Sequence, residues 1–179
     1  MSVGTSRQPR SCKPSASVAR STTYNGSGQR TQATDEDGKV VTYEYFTTGT
    51  KQGLLRYVHV DPNGLNLTTE YDYDTAFNVA SVKDPLNHTA TTTWDALRRK
   101  TVQTSRTGIE VKYSYDGNSQ VTAIDTENLD KDGTRVSGNE WLTTSYTYST
   151  HGDVLTMVEE LTSGTTRTIT VTAIPLIQT

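Results

Sequence analysis

Asn128, Asp130 and Asp132 place oxygen ligands at alternate positions ahead of Gly133, which is the front half of a calcium loop. The back half does not follow. The twelfth position is Asn139, Glu140 comes one residue late, and no helical pattern flanks the segment. Acidic Asp-Gly turns form without metal, so the segment reads as a turn, and no metal or other cofactor is expected. His59, His88 and His151 fall in separate stretches, and none stands in a recognisable motif with a serine, cysteine or carboxylate. Glu159 and Glu160 are adjacent, so on a strand they point to opposite faces and cannot work as a local acid/base pair. No glycine-rich phosphate loop and no Cys/His spacing for a metal is present. Cys12 is the only cysteine, so the chain cannot form an internal disulfide. No constellation here amounts to a catalytic site, and the chain is expected not to be an enzyme.

What the sequence does contain is a period. Tyr24 leads at intervals of four, seven, three and seven residues to Gly28, Asp35, Gly38 and Tyr45. Tyr73 leads in the same way to Phe77, Asp84, Asn87 and Trp94, and Trp94 to Arg98, Ser105, Gly108 and Tyr115. A last copy begins at Tyr148 and reaches Gly152 and Glu159 on schedule. The repeat is 21 residues long. Two copies are longer, with insertions near residues 46–53 and 127–140. Self-similarity at a fixed period marks a repeat architecture.

Each copy is built of strands and tight turns. Val41, Tyr43 and Tyr45 alternate with Thr42 and Glu44, and Val111, Tyr113 and Tyr115 alternate with Lys112 and Ser114, the period-two pattern of strands with one covered face. Between strands stand Asp35-x-x-Gly38, Asp61-x-x-Gly64 and Asp84-x-x-Asn87. Asp accepts hydrogen bonds from the turn backbone, and Gly or Asn supplies the left-handed residue a short hairpin needs. The corners after the aromatics, such as Tyr115-Asp116-Gly117-Asn118-Ser119, use the same chemistry. A repeat is therefore two strands and two turns. The pairs Val79/Val82, Val121/Ile124 and Val154/Met157 are three apart, which requires either that both faces be partly covered or that a bulge reset the parity.

With this spacing and turn chemistry, residues 22–164 resemble the YD-repeat (Rhs) family, whose pattern of Tyr-Asp, a corner Gly and an Asp-x-x-Gly turn is approached by Tyr71-Asp72-Tyr73-Asp74 and Trp94-Asp95-Ala96-Leu97-Arg98-Arg99. Phe46 departs from it where Asp is expected, and Phe77, Arg98 and Ser119 where Gly is expected. The resemblance implies an all-β fold of stacked antiparallel β-hairpin repeats forming a curved sheet, a segment of the β-shell found in bacterial Rhs proteins, Tc-toxin components and teneurins. In the toxins such a shell encloses a C-terminal effector. The implied role is structural, in a secreted or cell-surface protein, with the rest of a larger polypeptide and an encapsulated effector as partners. Asp61-Pro62-Asn63-Gly64-Leu65 is also similar to the segment at which some Rhs members cleave themselves; another repeat follows it here, so it reads as a hairpin turn.

The repeat aromatics Tyr24, Tyr45, Tyr73, Trp94, Tyr115 and Tyr148 read as a packing ladder, because every copy carries one. The alternative is a stripe for a carbohydrate or a cell-surface protein. The structural turn residues are Asp35, Gly38, Asp61, Gly64, Asp84, Asn87, Gly108 and Gly152.

Composition agrees with strands. Thr occurs 34 times against 11 Leu, and with 32% hydrophobic residues and a mean hydropathy of −0.63 the chain favours a thin sheet over a deep core. Residues 1–30 carry +5 and the remainder −8. Residues 1–21 read as a disordered basic leader, a solvated tail with no interleaved aromatics, so no nucleic acid is expected as a partner. No signal peptide and no membrane span is legible. Residues 165–179 read as a terminal edge strand or truncated repeat. Their apolar run, from Thr168 to Ile177, would need cover, so the chain is expected to work within a longer protein and to self-associate alone.

Overall fold

The computed structural model describes residues 19–162 and 165–170. The residues 1–18 of the expected leader and 171–179 of the terminal run lie outside them. All described regular structure is β: β1 Ser21–Tyr24, β2 Arg30–Thr34, β3 Val40–Tyr45, β4 Leu55–Val60, β5 Leu67–Tyr73, β6 Val79–Lys83, β7 Thr89–Trp94, β8 Lys100–Thr104, β9 Glu110–Tyr115, β10 Val121–Glu127, β11 Trp141–Tyr148, β12 Val154–Thr162 and β13 Thr165–Thr170. Ser21, assigned above to the leader, opens β1.

The chain divides into two compact units. One holds residues 19–44 and 58–67, in which β2 lies antiparallel between β1 and β3. The other holds residues 45–57 together with the described chain from 68 onward; within it β5 to β13 lie side by side in chain order, each antiparallel to the next. Each connection is a hairpin between neighbours, as the repeat predicts. None of the described residues is buried in the sense of a core. The sheet is one layer thick, and its side chains are at most half-covered by their neighbours.

The three-residue spacing of the aliphatic pairs is explained by a bulge. Tyr73 pairs with Val79, but Asp72 pairs with Ser81, leaving Ala80 as the extra residue. The same shift follows Tyr24, Trp94, Tyr115 and Tyr148. Val79 therefore stands opposite Tyr73 and Val82 opposite Tyr71, both on the aromatic face. Val121 and Ile124 take the same places against Tyr115 and Tyr113, and Val154 and Met157 against Tyr148 and Tyr146. The cross-strand partner of each tyrosine is thus an aliphatic side chain, a pairing worth about 0.2–1 kcal/mol.

Candidate functional site

Nearly every corner is closed by one device. In the turn at Asp35, the Gly38 amide donates to the Asp35 carbonyl at 3.1 Å and the Asp35 amide to the Lys39 carbonyl at 3.1 Å. The Asp35 carboxylate then accepts the amides of Asp37 and Lys39 at 3.0 and 2.8 Å. Asp74, Asp84, Asp95 and Asp116 accept the corresponding two amides of their own corners, and Asn25 and Ser149 do so with neutral oxygens. The carboxylate of Asp95 is held below the usual range by the Arg99 amide, against the opposing effect of burial and with help from the Arg99 side chain. Asp74 is lowered chiefly by the Asn78 side chain. The fourth residue of each corner is left-handed, at φ 77° in Gly28, 79° in Gly38, 68° in Asn87, 88° in Gly108 and 92° in Gly152. Phe77, Arg98 and Ser119 keep that conformation at φ 65°, 61° and 67°. The corner imposes its geometry on residues that do not favour it.

Gly64 is a correction. It was read as the left-handed residue of its turn, but the positive φ angles there belong to Asp61 at 53° and Asn66 at 46°. This copy has two extra residues between the turn and the next aromatic, and closure passes to Asn66, which stands seven residues before Tyr73 as Gly38 stands before Tyr45. Counting back from the aromatic would have found it. Gly64 is required for another reason: a Cβ there would lie 2.8 Å from Cγ of Asp61 and closer still to Oδ2.

The aromatic ladder connects through the backbone. Trp94 donates Nε1–H to the Val79 carbonyl at 2.9 Å, Tyr115 its hydroxyl to Lys100 at 2.8 Å, and Tyr148 its hydroxyl to Val121 at 2.7 Å. The accepting carbonyl lies two residues past the left-handed residue of the preceding corner each time, so every ring reaches back over the previous repeat. Corners are also tied to one another: Arg99 reaches the Asp116 carbonyl and Ser119 Oγ at 3.3 and 3.2 Å, and Gln120 reaches the Gly152 carbonyl at 3.2 Å. Single-sequence reasoning missed these ties, because nothing in residue type marks a side-chain to backbone bond across two strands.

The insertions break the repeat but keep its frame. Around residues 46–54, the Phe46 amide donates to Leu54 and the Gly53 amide to Phe46, an ordinary corner enlarged by four residues. Phe46 packs edge-on against Tyr73 at 6.3 Å between centroids. In the second insertion Asp130 caps a nested turn, accepting the amides of Asp132 and Thr134. Asn128 donates to the Asn139 carbonyl, and Asp132 is held by Lys131. The candidate calcium ligands are thus engaged in turn bonds, and the described residues hold no group of three or more His, Cys, Asp or Glu side chains suited to a metal. The insertion does not simply protrude: Arg135 pairs with Glu127 and lies 5.1 Å over the Trp141 ring, with Lys112 Nζ 3.8 Å from the same ring.

The histidines are dispersed. His59 Nε2 lies 3.2 Å from Glu44, His88 Nδ1 3.4 Å from Asp84, and His151 Nδ1 3.4 Å from Thr150 Oγ1. Glu159 accepts from Arg167 and Glu160 from the Thr143 amide, on opposite faces as adjacent strand residues must. No described helix is long and apolar enough to cross a membrane.

No family model matches the chain, and no curated protein matches it. Among solved structures it is similar to the TcdB2-TccC3 complex, with a TM-score of 0.50 at 14% identity over 87% of this chain and 12% of the other. It is similar also to TcdB2-TccC3 without its hypervariable C-terminal region, with a TM-score of 0.50 at 14% identity over 84% and 12%. The chain therefore spans about an eighth of the proteins it matches. At this identity the likeness is one of fold.

Proposed function

We propose that this chain is a wall segment of a larger YD-repeat shell, a structural rather than catalytic element of an Rhs-type protein that encloses a C-terminal effector. The observation that carries the reading is the aromatic tie of Trp94, Tyr115 and Tyr148 to the preceding repeat. It makes each hairpin depend on its neighbour and lets a sheet without a core extend by adding copies. The fold likeness to TcdB2-TccC3, of which this chain spans 12%, supports a part within a longer array. A secreted or surface-exposed setting follows from the same reading.

Limited proteolysis of the polypeptide encoded by the complete gene tests it. A segment C-terminal to the repeats should survive protease while the shell is intact and be cut once the shell is opened by Trp94→Ala combined with Tyr115→Ala. Equal cleavage in both states overturns the reading. The competing reading, a carbohydrate- or surface-binding module, predicts that this array is functional with no enclosed segment.

A further inference from the structure

An open groove of about 290 Å³ lies on the face of β5–β7 opposite the tyrosines. That is near the lower end of small-ligand sites, which run from about 300 to 1,000 Å³. Its chemistry is specific to this one copy. Arg56 is fixed in place, its guanidinium 5.2 Å over the Phe46 ring and 4.8 Å over Tyr57, with Nε 3.8 Å from Glu70. Lys83 stands directly across the ladder from Glu70, yet it has no ion-pair or hydrogen-bond partner among the described residues. The corresponding positions of other copies are Thr34, Val60 and Thr104. The Asp72 charge is met by Lys51, which holds that carboxyl below its ordinary range. Ser81 and Thr89 add hydroxyls beside these charges.

We propose that this groove binds an acidic sugar of the uronate class. A carboxylate ligand suits the free ammonium of Lys83 and the pre-oriented guanidinium of Arg56. Glu70 and Asp72 would repel a bare anion, but they accept hydrogen bonds from the ring hydroxyls of a sugar, and Ser81 and Thr89 serve either polarity. A neutral sugar leaves Lys83 unused, and a simple phosphate leaves the two carboxylates unpaired. The site arises where the period is broken, since the insertion between Tyr45 and Tyr73 supplies Phe46 and the strand after it supplies Arg56. The inference goes beyond the shell reading and does not need it.

The test is an amide chemical-shift titration of the full chain with digalacturonate, with cellobiose and inorganic phosphate in parallel. Digalacturonate should give saturable shifts at Ser81, Lys83 and Thr89, and cellobiose should give none there. Lys83→Ala should weaken binding about tenfold or more, Lys83→Arg should retain it, and Lys131→Ala, on the second insertion, should leave it unchanged. The proposal is overturned if no shift saturates, if cellobiose binds equally, if phosphate reproduces the shifts at the same concentration, or if Lys83→Ala binds as the parent does with its amide spectrum intact. None of these outcomes bears on whether a cargo is protected from protease.

Discussion

Trp94 donates its indole hydrogen to the carbonyl of Val79, 2.9 Å away and fifteen residues earlier in the chain. The bond joins one repeat to the one before it, and it is made by a side chain that is only half-buried. Trp94→Phe keeps a ring and removes the donor, so it should cost about 1 kcal/mol. Trp94→Ala should cost about 2–3 kcal/mol, less than the 3–5 of a fully buried aromatic. Urea unfolding measures both, and two unchanged midpoints would show the indole to be decoration.

Phe77 and Arg98 hold left-handed backbone that glycine adopts freely. Each should cost about 1 kcal/mol relative to glycine, so Phe77→Gly and Arg98→Gly should raise the unfolding midpoint despite the loss of a side chain. A lowered midpoint in both would mean that their exposed side chains contribute more than the strain takes away.

Gly38 and Gly64 should fail for different reasons. Gly38→Ala strains a backbone at φ 79°, whereas Gly64→Ala drives a methyl into the Asp61 carboxylate. Asp61→Ala should therefore partly rescue Gly64→Ala and do nothing for Gly38→Ala. Additive effects in the Asp61/Gly64 double mutant would remove the collision as the cause.

Acid should loosen the corners. The carboxyls of Asp74 and Asp95 titrate below their ordinary value of 3.8 in the folded chain. Their contribution is complete above that value and is lost as pH falls through the depressed folded pKa. Thermal midpoints should hold steady from neutrality to about pH 5 and drop below pH 4. Asp74→Asn with Asp95→Asn should flatten that drop, and an equal drop in the double variant would place the acid sensitivity elsewhere.

Arg135→Ala should release the second insertion from Trp141 and Glu127. The expected signs are faster proteolysis within residues 128–140 and a change in the emission of Trp141, read in a Trp94→Phe background because the chain has two tryptophans. Calcium, whose candidate ligands are engaged in turn bonds, should leave both signals unchanged. Saturable calcium heat abolished by Asp130→Ala would contradict that assignment.

Strands, turns and their order were legible from the residues because these are local properties. Alternation specifies a strand within six residues, and an Asp followed three places later by Gly or Asn specifies a corner through bonds that stay inside it, as at Asp35 and Asp84. Even Phe77, Arg98 and Ser119, which break the glycine rule, keep the conformation that their position in the period demands. Local residue types left undetermined whatever depends on distance between strands. The bulge at Ala80 was one of two solutions to the Val79/Val82 spacing, and only pairing with β5 selects it. The bond from Trp94 to Val79 spans two strands and needs the ring laid back across the sheet. Lys83, one lysine among many in the sequence, becomes distinctive when β5 and the insertion leave it unpaired beside a fixed arginine. Backbone preference acts over four or five residues, whereas these contacts form only once twist and register bring distant strands together.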